Sequence, residues 1–85
     1  MIYKTLCLSN MHITKTTTYH LDNDLEFLLV GKSEYGYTLY SEFDPEDDIP
    51  VDLRRVLEYA QSHDCRFVYL DWNEDIVPEL PTYEW

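Results

Sequence analysis

The side chains in this chain with the greatest chemical reach are carboxylates, and they come in two groups. Glu42, Asp44, Glu46, Asp47 and Asp48 place five acids within seven residues, and Asp71, Glu74, Asp75 and Glu79 form a second, looser cluster. Oxygen-rich loops of this kind bind calcium when their spacing is right. Counted from Asp44, the sixth position is Ile49 where a calcium loop needs Gly, and the twelfth is Arg55 where it needs Glu. What remains is a weak divalent site, a solvated loop leading into a helix, or a contact surface for a basic partner. His12, His20 and His63 lack metal-ligand spacing with each other or with Cys7 and Cys65. A Cys–His nucleophile pair would have to assemble in space, and no local motif supports one. Phosphate-loop, dinucleotide and nucleophile-elbow motifs are missing as well. The reading is therefore a non-enzymatic protein without a cofactor or metal.

Charge distribution sharpens this. The chain has 85 residues, 17 acids and six Lys or Arg, for a net charge of −11. Every acid lies after residue 21, so residues 22–85 hold 17 acids against four bases, a net of −13. Phosphate contacts need cations, so direct nucleic-acid binding is disfavoured. The reverse follows more naturally: acidic loops docking on a basic protein surface, even one built for nucleic acid, so that the chain acts as a DNA mimic. Solubility alone accounts for such a composition equally well. The ending Leu80-Pro81-Thr82-Tyr83-Glu84-Trp85 sets two large aromatics at the terminus. Tyr83 and Trp85 either fold back on the domain or anchor a partner, and deleting the last five residues should lose stability or binding in either case. The partner-binding set is thus Asp44, Glu46, Asp47 and Asp48, then Asp71, Glu74 and Asp75, with Tyr83 and Trp85.

The elements that must carry these residues follow from periodicity. Ile2 to Leu8 reads as a strand that Met11-His12-Ile13 could extend. Thr14 to Asn23 is ambiguous, since Thr favours strands but Thr14 can cap a short helix. Leu25 to Val30 and Tyr37 to Ser41 read as a hairpin, with Gly31 and Gly36 supplying positive φ in the turn. Leu53, Val56, Leu57 and Ala60 recur at helical spacing and predict a helix over about 50–62, with Asp52, Arg55, Glu58 and Ser62 off its buried stripe. Arg54 and Glu58 are spaced for an exposed ion pair. Arg66 to Leu70 is apolar on both parities, as in a central strand covered on both faces. The strand–helix–strand order implies a parallel crossover. Residues 71–85 read as an extended tail. The sum is a small α+β single domain with about four strands in a mixed sheet and one main helix on one face. Cys7 and Cys65 read as reduced core residues. No run approaches the roughly 18 apolar residues of a membrane span, and the N-terminus lacks a secretory pattern.

Three separated stretches carry a family resemblance: Leu8-Ser9-Asn10-Met11-His12-Ile13-Thr14, the run from Ile49 through Leu53 to Ala60, and Leu80-Pro81-Thr82-Tyr83-Glu84-Trp85. The segment from Asp64 to Asp71 agrees with them. Together they resemble a family of small proteins of unknown function, domain-of-unknown-function family 5983. Its members occur on proteobacterial plasmids, prophages and genomic islands, often beside anti-restriction and toxin–antitoxin genes. The resemblance implies a short helix near 15–22 and a mobile-element context, but no catalytic residues. It implies a cytoplasmic protein of a phage or mobile element that docks on a host defence protein as an anti-CRISPR or anti-restriction inhibitor. The alternative is an accessory regulator of a toxin–antitoxin or plasmid-maintenance module, binding its cognate protein through the helix and aromatic tail. Membrane and direct nucleic-acid partners are not expected, and monomer and homodimer both stay open.

Overall fold

Alternation along the strand Phe67–Asp71 organises the molecule: Val68 and Leu70 are fully buried, while Phe67 and Tyr69 on the other parity are half-buried. One sheet face is therefore packed and the other left open. The computed structural model describes residues 1–84. In chain order the elements are β1 (Thr5–Ser9), a 3-10 turn (Asn10–His12), α1 (Lys15–Asn23), a second 3-10 turn (Glu26–Leu28), β2 (Leu29–Lys32), β3 (Gly36–Tyr40), α2 (Val51–Ser62) and β4 (Phe67–Asp71). The sheet order is β1-β4-β3-β2. The α+β reading, with a four-stranded mixed sheet and two helices, holds.

The helical stripe of α2 lands where its spacing predicted. Leu53, Val56, Leu57 and Ala60 are fully buried and join Leu8, Leu21, Leu39, Val68 and Leu70 in one core. Truncating any one of these Leu side chains to Ala should destabilise the fold by about 2–5 kcal/mol. Thr14 caps α1, its hydroxyl oxygen accepting from the Thr17 N–H at 3.2 Å. At its other end α2 closes with paired reverse bonds: Cys65 N–H to Ala60 O at 2.9 Å and Asp64 N–H to Gln61 O at 3.1 Å. This closure needs a left-handed residue, normally Gly. Asp64 fills it, with φ 59°.

Several expectations change. Strand β1 starts at Thr5, and Asn10–His12 is a 3-10 turn, so Met11-His12-Ile13 does not extend it. The run Leu25–Val30 is a 3-10 turn feeding a short edge strand, because burial of Leu25 and Leu28, three residues apart with Glu26 and Phe27 exposed between them, fits a tight turn and not the two-residue period of a pleat. Strands β3 and β4 flank α2 but pair antiparallel; the parallel pair is β1 with β4. Strand β4 is central, yet covered on one face only. Neither glycine has positive φ. Gly36 is required by close approach instead: a Cβ there would lie 1.7 Å from the Leu70 carbonyl oxygen. Cys65 is buried, but Cys7 points to the open face and is exposed. Both are free thiols.

Candidate functional site

The acidic loop between β3 and α2 is a built structure. Within it, Asp47 N–H donates to Asp44 O at 2.9 Å, Glu46 N–H to Asp44 Oδ1 at 2.9 Å, and Ile49 N–H to Asp47 O at 3.0 Å. Arg54 reaches back from α2, donating from Nη2 to Asp47 O at 3.1 Å with its guanidinium carbon 5.0 Å from the Phe43 ring centre. That placement replaces the expected Arg54–Glu58 pair, which does not form. Asp44, Glu46 and Asp48 are exposed. Among the described residues the ion pairs are His20–Asp24 and Lys32–Asp22, so the loop carboxylates have no cationic partner of their own. Beside the loop lies a cleft of about 270 Å³ lined by Phe27, Leu28, Tyr40, Glu42, Phe43, Asp44, Asp47 and Arg66. Its apolar walls include Phe27 and Tyr40, both exposed, and its charged lining residues are Glu42, Asp44 and Asp47 against Arg66.

The second acidic cluster sits elsewhere. Ser41, at the start of the loop, donates its N–H to Arg66 O just before β4, whereas Asp71 is the last residue of that strand. The two clusters therefore flank opposite ends of β4, about 13 Å apart along the strand. Asp71 is buried, and its carboxylate accepts from the Tyr69 hydroxyl and from the Asn73 N–H at 2.9 Å. These bonds, the Tyr69 one foremost, hold its carboxyl below the ordinary carboxylate range. Glu74 is half-buried and Asp75 exposed, and the Asp75 backbone oxygen accepts from Ser9 N–H at 2.9 Å.

The tail that follows is clasped by the 3-10 turn after β1. His12 is 1% exposed and uses both ring nitrogens. Nδ1 bonds to Pro81 O at 2.8 Å, and Nε2 accepts the Val77 N–H at 3.0 Å. A carbonyl on one side and an N–H on the other select the neutral tautomer protonated at Nδ1. Tyr83 N–H donates to Met11 O at 2.8 Å, and Tyr83 is half-buried. Among the described tail residues the fold-back alternative is thus the one observed; Trp85 lies outside the described residues. The clasp also explains why the stretches around Ser9–Thr14 and Leu80–Glu84 matter together: they are one contact.

Asp52 is the residue that periodicity misplaced. Its position lies off the α2 stripe, yet it is buried, and its Oδ2 accepts from Thr14 N–H at 2.7 Å and from Thr17 Oγ1 at 2.6 Å. One carboxylate in the first turn of α2 thereby ties down the first turn of α1. The only signal for this in the sequence is the pair Thr14 and Thr17, whose hydroxyls need a partner.

His12 does not converge with the two thiols. His12 is enclosed by the tail, Cys7 lies opposite Tyr69 on the open face, and Cys65 precedes β4. The Cys7 thiol is pushed up, first by desolvation and then by the Glu74 carboxylate and Cys65, the opposite of the shift that activates a thiol. Among the described residues no cluster of His, Cys, Asp and Glu is arranged to hold a metal ion. Likewise, no described helix is long and apolar enough to cross a membrane.

This domain, with its clasped tail and ordered acidic loop, matches the model described as Family of unknown function (DUF5983) C-terminal domain over residues 5–85. The chain belongs to that family. Comparison with curated proteins and with solved structures returned no match.

Proposed function

We propose that this protein is a binding module, not an enzyme, that engages a basic protein surface through the loop Glu42–Asp48 and the adjoining cleft. The observation that carries the reading is the loop itself: internal hydrogen bonds, one of them to the Asp44 carboxylate, and Arg54 hold it in place, while Asp44, Glu46 and Asp48 are exposed and make no ion pair among the described residues. A pre-ordered loop loses little conformational freedom on binding. Unpaired carboxylates steer a cationic partner and set register. The cleft's apolar walls and its excess of acids, Glu42, Asp44 and Asp47 against Arg66, suit Lys or Arg, whose stems are apolar and whose heads are charged.

The placement of the two clusters at opposite ends of β4 favours two separate contact points over one continuous acidic row. The partner class we propose is a host defence protein of the CRISPR or restriction kind, with the basic surface being one that otherwise meets nucleic acid; the support is the acidity of the loop together with the mobile-element setting that the family resemblance implies. In the alternative, the toxin–antitoxin or plasmid-maintenance regulator, contact runs through the helix and tail. The stripe of α2 and the tail backbone are already engaged within the domain, which favours the loop reading.

The test is capture of partners from a bacterial host lysate on the tagged protein, with low-salt and then high-salt washes, repeated with E46K/D47K/D48K. A nucleic-acid enzyme released by salt from the native protein and absent from the triple variant is the expected result. A partner retained equally by both, at high salt, would remove the acidic-loop reading.

A further inference from the structure

We propose that the outer edge of β1 is a docking surface for a second copy of the chain, the two β1 strands pairing antiparallel about a two-fold axis at Leu6. The inference stands apart from the acidic-loop reading and concerns a different part of the surface. Strand β1 is an edge of the sheet, with β4 on its inner side. The Phe67 N–H reaches Lys4 O across that inner side at 3.3 Å, whereas the Ser9 N–H points outward, to Asp75 O at 2.9 Å. Main-chain polar groups alternate in direction along a strand. Those of Leu6 and Leu8 therefore face β4, and the N–H and C=O of Thr5 and Cys7 face outward. Among the described residues none of these four outward groups has a hydrogen-bond partner.

The other edge of the sheet is guarded and this one is not. Strand β2 has four residues, a register break between Leu29 and Gly31, and the charged Lys32 at its end. Short length, bulges and lysine are the usual protections of an edge. Strand β1 has five residues, Thr-Leu-Cys-Leu-Ser, in unbroken register with β4 and without charge or proline. It also lies within the acid-free stretch, residues 1–21. Two chains of net charge −11 can therefore meet along β1 without bringing strand carboxylates together.

The free groups select one register. With the axis at Leu6, Thr5 of each copy lies opposite Cys7 of the other, and each such pair exchanges both of its N–H···O bonds. Every outward group of Thr5 and Cys7 is then answered. Leu6 meets its symmetry mate as a non-hydrogen-bonded pair, the closer kind of cross-strand contact. Leu6 is only half-buried within one copy, while Leu8 on the same parity is fully buried, so Leu6 has apolar surface left to cover. The ladder stops at Ser9, whose N–H is taken by the Asp75 backbone. In this register Ser9 lies opposite Tyr3 of the other copy, which sets the exposed Lys4 of one chain beside the exposed Asp75 of the other. Charge is thus complementary at both ends of the junction. The two four-stranded sheets become one continuous sheet that carries two acidic loops.

The experiment is sedimentation equilibrium of the full chain from about 10 μM to about 0.5 mM, a range that brackets weak specific association. The expected result is a mass that rises from 10.2 kDa toward twice that value. Amide exchange followed by NMR locates the contact. Protection of the Thr5 and Cys7 N–H groups should fade on dilution, while that of Leu6 and Leu8 persists. Thr5→Pro removes an N–H that has no partner within one copy, and proline is tolerated at the first residue of an edge strand. It should keep the single copy folded and raise the dimer Kd about thirtyfold or more, through the loss of two hydrogen bonds. Lys4→Glu, at an exposed position, puts an acid beside Asp75 of the other copy and should weaken the dimer severalfold. That variant decides the matter if Thr5→Pro does not fold. A chain that stays at 10.2 kDa throughout, or a dimer whose Thr5 and Cys7 amides exchange freely, would overturn the edge pairing. So would a folded Thr5→Pro chain that dimerises as the native one does.

Discussion

The two ends of the sheet treat polar groups in opposite ways. At the tail clasp, His12 is buried and both its ring nitrogens are engaged, and Asp52 nearby takes two short hydrogen bonds. At the acidic loop, the backbone is engaged, with the Asp44 carboxylate taking one of its N–H groups, and Glu46 and Asp48 are left to solvent. Buried polar groups that are paired fix structure, because removing one partner strands the other at full desolvation cost. Exposed unpaired charges contribute little to stability and stay available for a partner. The contrast separates the residues that build this domain from those proposed to give it a function.

The largest effects should come from breaking the built end. Asp52→Ala strands the Thr14 N–H and leaves the Thr17 hydroxyl only its 3.1 Å bond with Thr14 Oγ1, and should lower unfolding free energy by about 2–3 kcal/mol. Chemical denaturation measures it; a loss below about 1 kcal/mol would mean that α1 does not depend on that carboxylate. His12→Ala should follow at about 2–3 kcal/mol, accompanied by fast amide exchange at Val77 and Tyr83. If exchange there stays slow, the clasp is not what holds the tail.

At the loop the comparison predicts a near-zero result. E46K/D47K/D48K should leave the denaturation midpoint within the equivalent of about 0.5 kcal/mol while weakening partner capture. A large drop in midpoint would move the loop into the structural category. Asp64→Gly tests a third kind of site, where a non-glycine residue holds left-handed backbone. It should raise stability by about 0.5–1 kcal/mol, by relieving that conformation and removing an acid from the negative end of α2.

The smallest effect concerns pH. The carboxyl of Asp71 is held down in the folded state, so the stability it provides is complete above the ordinary carboxylate range and is lost as pH falls through its lowered value. Tyr69→Phe removes the main cause and should shift the Asp71 carboxyl titration upward, as followed by carbon NMR. An unchanged titration would show that the Asn73 N–H is sufficient.

Much of this fold was legible before folding, and the limits are physical. Leu53, Val56, Leu57 and Ala60 announced α2 because a 3.6-residue period depends only on which side chains face the core. Tyr37–Ser41 and Arg66–Leu70 announced strands for the same reason, and Thr14 announced a cap because the cap bond is local. The family resemblance selected the same stretches that the tail clasp joins. The acidic loop was found from composition, but its internal order was not, since Arg54 was assigned to Glu58 on spacing alone.

The sequence by itself determined α2, the strands at Tyr37–Ser41 and Arg66–Leu70, the buried stripe and the charge asymmetry, all of which follow from interactions between near neighbours or from counting. Only the tertiary structure decided that β4 lies between β1 and β3, that β3 and β4 run antiparallel, and that one sheet face stays open. It alone gave Asp52 to α1 and His12 to the tail. Those bonds join residues 38 and 69 positions apart. A period records that a face is buried, but not against which element, so partners at such separations appear only when the helices and tail dock on the sheet.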